Sequence, residues 1–131
     1  MSRDSRELAA IFVGGAAGAL LRVWLGIKFS VADGSWPWVT FAINVTGSAA
    51  LAYAATRLQE RLPQSTYRRP LVGTGFCGAY TTFSTMQVEI LRMLDRGRLE
   101  LAVVYSAASV GAGYAAIWIT TAAVRRYRLF A

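Results

Sequence analysis

The chain has 131 residues, 55% of them hydrophobic and 16% charged, with a net charge of +7 and no histidine. Once its hydrophobic runs are placed, too little sequence remains for a separate soluble domain, and the single cysteine, Cys77, excludes an internal disulfide. The positive charge does not point to nucleic acid: Arg57, Arg61, Arg68, Arg69, Arg125, Arg126 and Arg128 flank apolar runs, as the cytoplasmic loops of membrane proteins do.

Crossing about 30 Å of hydrocarbon takes about 20 apolar residues in a helix. Four stretches meet that requirement, at about 8–27, 36–56, 70–94 and 101–124. The expectation is an all-α membrane protein, a single four-helix transmembrane domain over residues 1–131. A soluble four-helix bundle would need polar faces, and three uncharged runs, 36–56, 70–88 and 101–124, lack them. The first residues mix Arg3 and Arg6 with Asp4 and Glu7 ahead of a long apolar run, which reads as a retained first helix rather than a signal peptide.

The first segment sets Gly14, Gly18 and Arg22 at intervals of four, near one face. The glycines suit close helix packing. Arg22 has two readings, a side chain reaching out to the interface or one lining a watery vestibule that attracts anions. The second segment places Thr40, Asn44 and Ser48 on one stripe. An unpaired amide in mid-span costs ~2–7 kcal/mol. Asn44 therefore has to bond another helix, exposed backbone or a permeant species.

The third segment is unlike the others. Gly75-Phe-Cys-Gly-Ala-Tyr-Thr-Thr-Phe-Ser-Thr-Met86 lies in an uncharged run, yet it holds two glycines, four hydroxyl residues and no Leu, Ile or Val. Pro70 suits a helix start. Gly73, Gly75 and Gly78 then weaken the helix, and a second helical stretch resumes near Phe83. Broken backbone at membrane depth is tolerated only inside protein or beside a water-filled cavity, where its carbonyls and amides face ions. The fourth segment adds Tyr105, Ser109 and Gly113 on one stripe. The donors of Asn44, Ser84, Thr85, Tyr105 and Ser109, together with the electropositive edge of the Phe83 ring, suit a small dehydrated anion.

The carboxylates Asp4, Glu7, Asp33, Glu60, Glu89, Asp95 and Glu100 fall nearly all toward segment ends. No nucleophile has a plausible general base beside it, so no enzyme is expected. Proton-coupled transport lacks its usual mid-span carboxylate.

Gly14 to Arg22, Asn44-Val-Thr-Gly-Ser48 and Gly75 to Thr85 resemble the Fluc (CrcB) family of small fluoride channels, in order and spacing across nearly the whole chain. The resemblance implies four-helix subunits in the bacterial cytoplasmic membrane, paired as an antiparallel dimer that passively exports fluoride through two narrow pores. It implies a structural sodium ion (Na+) at the dimer centre, held by backbone carbonyls at positions matching Gly78 and Thr81. The anion pore maps to Asn44, Phe83, Met86, Ser84, Thr85, Tyr105 and Ser109, and the vestibule arginine to Arg22. Met86 stands where the family has a second phenylalanine, and Gly113 where a further hydroxyl is common.

With four spans, nine basic residues lie on the side of both termini and five on the other. That bias favours cytoplasmic termini. It leaves two assemblies open, a homodimer, which is the simpler, and a heterodimer with an oppositely oriented paralogue that supplies the missing ring and hydroxyl. Fluoride and membrane lipid are the other expected partners. Alternatives of a different kind are a small multidrug-type dimeric exporter, which relies on a carboxylate within its first helix, and a non-transporting membrane assembly subunit.

Overall fold

A computed structural model describes residues 3–60 and 67–127. Among them the protein is all-helical. Helix α1 spans Arg3–Lys28 and α2 spans Trp38–Glu60. A π-helix, Pro70–Cys77, runs directly into the single turn α3, Gly78–Tyr80. After a break at Thr81 and Thr82 the chain resumes as α4, Phe83–Asp95, and ends in α5, Leu99–Arg126. Arg61 and Arg128, both used in the charge count, lie outside the described residues.

Three helices, at Asp4–Lys28, Trp38–Leu58 and Leu99–Arg126, are long and apolar enough to cross a membrane. Their outer surfaces bear Phe12, Leu20, Ile27, Val110 and Trp118, all exposed. Apolar surface on this scale suits lipid rather than water. In α1, Asp4 in the first turn and Lys28 in the last have the signs the helix dipole favours, while Arg3 and Arg6 at its start do not.

The third segment is wound by its glycines and by its neighbour. In place of the usual i−4 bond, the Gly78 N–H is shared between the Gly73 carbonyl, at the wider π spacing, and the Gly75 carbonyl. Helix α1 packs chiefly on this π-helix and on α3. The approach is too close for side chains: a Cβ on Gly14 would lie 2.0 Å from the Leu71 carbonyl oxygen, and one on Gly18 would lie 2.3 Å from that of Phe76. The small stripe of the first segment is thus the seat of the irregular helix.

Helix α5 packs on α2 and on α4. Met86, Ile90 and Met93, on one face of α4, meet Ala102 and Tyr105 of α5, and Trp36 and Phe41 close the cluster. Helix α4 stops at a Gly97 with φ 71°, where the Gly97 N–H bonds the Leu94 carbonyl and the Arg98 N–H bonds the Met93 carbonyl at 2.8 Å. This is the Schellman pattern, which needs a left-handed residue after the cap.

Candidate functional site

The site is built around the gap between α3 and α4. Thr81 and Thr82 are extended, with ψ of 153° and 109°. Two peptide groups without helical partners inside an apolar assembly need others, and Asn44 of α2 supplies one pair. Its Nδ2 donates to the Thr82 carbonyl oxygen at 3.1 Å, and its Oδ1 accepts from the Thr82 N–H at 2.8 Å. The amide acts as a substitute for a neighbouring strand, and the mid-span cost of Asn44 is removed.

Thr82 also starts α4. Its hydroxyl oxygen accepts from the Thr85 N–H at 3.2 Å, a helix N-cap, and its hydroxyl donates to Thr85 Oγ1 at 2.8 Å. On the other side of the gap the Thr81 hydroxyl donates to the Cys77 carbonyl at 2.9 Å. One consequence concerns two carbonyls. In an unbroken helix Gly78 O would accept from Thr82 N, and Thr81 O from Thr85 N. Here Thr82 N is taken by Asn44 and Thr85 N by the Thr82 hydroxyl. Gly78 and Thr81 thus both present carbonyls stripped of their helical donors, a neutral all-oxygen set of the kind that suits a hard monovalent cation.

The residues expected from the sequence at an anion path divide into two groups. Phe83 is 73% exposed, and Ser84, Thr85 and Gly78 are exposed beside it, so this face is not packed by the described residues of the chain. Met86 and Tyr105 do not join it: both are buried in the α4–α5 core, because α5 covers α4 from Met86 onward and leaves the first turn bare. Ser109 Oγ is buried and has no hydrogen-bond partner among the described residues. Gly113 faces Ser48: a Cβ there would sit at an ordinary 3.7 Å from Ser48 Oγ, so a hydroxyl side chain has room.

A cavity of about 430 Å³ opens next to the break, lined by Arg22, Asp33, Thr40, Thr82, Thr85, Glu89 and Arg92. Arg22 lines this cavity, with its Nε buried and unpartnered among the described residues. Glu89 lies toward the end of the third segment, as the sequence has it, and at the middle of α4. It is the seventh of the thirteen residues of α4. Thr40 donates to its Oε1 at 2.6 Å, and the Tyr105 hydroxyl donates to its Oε2 at 2.9 Å, tying α2, α4 and α5 together.

Thr82, Thr40 and Glu89 were absent from the site read from sequence. Thr82 had a legible signal, a hydroxyl residue just ahead of a resumed helix and three before another. Thr40 already lay on the stripe of Asn44. Nothing local marks Glu89, whose partners are 49 and 16 residues away.

Residues 9–121 match the family described as CrcB-like protein, Camphor Resistance (CrcB). The chain is 52% identical over 126 residues, 96% of each chain, to a Mycolicibacterium paratuberculosis protein named fluoride-specific ion channel FluC 1. It is 51% identical over 128 residues to a Mycobacterium tuberculosis protein of the same name, covering 98% of this chain and 97% of that one. A protein named fluoride-specific ion channel FluC from Acidobacterium capsulatum is 41% identical over 110 residues, 83% of this chain and 88% of the other.

Proposed function

Because the chain belongs to the CrcB-like family, we propose that it is a fluoride-selective channel, not an enzyme, that passively exports fluoride across the bacterial cytoplasmic membrane. The observation that supports this best is the break after Tyr80, held open by Asn44 and flanked by an exposed Phe83 and its neighbouring hydroxyls. A helix serving only as a membrane anchor has no need of such a gap.

In this reading the π-helix, α3 and α4 together form a fourth span, and residues 1–131 make one transmembrane domain. Two subunits pair antiparallel through the bare face of Phe83 and Gly78. An anion gathers in the vestibule at Arg22, then loses water to the Ser84, Thr85 and Ser109 hydroxyls and to the edge of the Phe83 ring. Asn44 holds the broken backbone in place. Met86 and Tyr105 shape the wall from behind, and the Tyr105 and Thr40 hydroxyls occupy lone pairs of Glu89, whose charge would otherwise face the anion unscreened. The donor-stripped carbonyls of Gly78 and Thr81 fit a sodium ion at the subunit junction, where it would brace the two breaks. Replacing sodium by a large organic cation during reconstitution tests that site: flux should be lost, and retained flux would remove it.

A multidrug-type exporter is less well supported, because the carboxylates of α1, Asp4 and Glu7, are exposed at its start rather than within it. Growth decides the matter in cells. In a bacterium made fluoride-sensitive, expression of this chain, alone or with an oppositely oriented paralogue, should restore growth in fluoride. Protection against lipophilic cations but not against fluoride would favour the exporter.

A further inference from the structure

The rim of the vestibule is partly built by the connection between α1 and α2. Residues 30–35 line the same cavity as Arg22, Thr85, Glu89 and Arg92. This connection is a formed turn. Gly34 has φ 78°, the left-handed region, and the Ser35 N–H bonds the Ala32 carbonyl. Arg98 Nη1 donates to the Gly34 carbonyl oxygen at 3.0 Å, which anchors the turn to the far end of α4.

Within this turn Asp33 faces two arginines. Its Oδ1 accepts from Arg92 Nη1 at 3.0 Å, and its Oδ2 lies 3.7 Å from Arg96 Nη2. All three side chains are about half exposed. Exposed pairs of this kind add little stability. Their charges still act on a mobile ion nearby, because the field of a fixed charge at the mouth of a cleft changes the local concentration of ions. The charges around the cavity are Arg22 and Arg92, which attract an anion, and Asp33 and Glu89, which repel it. Glu89 is engaged by two hydroxyl donors. Asp33 instead offsets the cations that would draw an anion in.

We propose that Asp33 is an electrostatic brake on anion access, lowering the attraction of the vestibule by its hold on Arg92 and Arg96. This inference rests on the fluoride-channel reading. The turn itself is set by Gly34 and the Arg98 bond, so removal of the Asp33 charge leaves the rim in place.

The test measures initial fluoride efflux from liposomes containing the full chain, at fluoride well below saturation, in an impermeant salt. A unit charge about 10 Å from an ion in water changes its local concentration about twofold. Asp33→Asn should therefore exceed the wild type by about two- to threefold at about 10 mM salt, where charges act over about 30 Å. The ratio should approach one at about 1 M, where the range is about 3 Å. Arg92→Gln should fall below the wild type at low salt, and the double variant should lie between the two. Efflux from Asp33→Asn equal to or below the wild type at low salt overturns the proposal. So does an equal gain at both salts, or a double variant slower than either single one. A wild type without fluoride efflux removes the channel reading and the brake with it. Wild-type efflux with an unchanged Asp33→Asn ratio removes the brake alone.

Discussion

The side-chain amide of Asn44 pairs with the peptide of Thr82 as one strand pairs with another, with bonds of 3.1 and 2.8 Å in opposite directions. Neither residue holds the break alone. Thr82 is buried, so its N–H cannot turn to solvent when the amide is withdrawn. The same Thr82 caps α4 through its hydroxyl. The Asn44 amide thereby holds the opening in the third segment, and the Thr82 hydroxyl sets the direction in which the chain resumes.

Asn44→Ala leaves the Thr82 peptide unsatisfied, a loss of about 1–3 kcal/mol for a buried group. Asn44→Asp keeps an acceptor for Thr82 N–H but loses the donor and adds a negative charge. Both variants should lose most fluoride flux, and Asn44→Ala should also unfold at lower temperature in detergent. Normal flux in both would mean that Asn44 serves only as an interhelical bond.

Phe83 makes few contacts within its own subunit, as its exposure shows. Phe83→Ile should leave the subunit fold intact while reducing fluoride efflux by about tenfold, equivalent to ~1.4 kcal/mol on the barrier. Efflux at the wild-type rate would place the ring outside the ion path.

Gly14 sits where a Cβ would overlap the Leu71 carbonyl, and the obstacle is backbone, which cannot swing aside. Gly14→Ala should therefore cost about 1–3 kcal/mol or more, as overpacking does. Gly26→Ala meets nothing within 4 Å and should not lower stability. Thermal unfolding of the purified proteins in detergent compares the two. Equal midpoints would show that α1 and the π-helix are free to separate.

Much of this was legible in the sequence, for physical reasons. Long apolar runs with little or no charge announce membrane helices, and they did so for α1, α2 and α5. Gly73, Gly75 and Gly78 announced trouble in the third helix, because glycine weakens a helix wherever it falls. They did not announce a π-helix, since that winding depends on how closely α1 approaches. Asn44 stood out because an amide in mid-span demands a partner, yet its partner, the Thr82 peptide, is 38 residues away and has no signature of its own. Phe83 and Met86 were both mapped to the anion pore by the family resemblance. The fold separates them, because α5 covers one and not the other. Glu89 stands toward the end of the third segment as read, but its place under donors from two other helices has no local signature.

The central claim is that this chain forms a selective passive path for fluoride. The most direct measurement is efflux from liposomes loaded with fluoride or chloride and containing the purified chain, alone or with an oppositely oriented paralogue, with and without a proton gradient. The account predicts rapid fluoride discharge that needs no proton gradient, with chloride efflux slower by several orders of magnitude. Equal rates for the two anions, or fluoride movement only when a proton gradient is imposed, would contradict it.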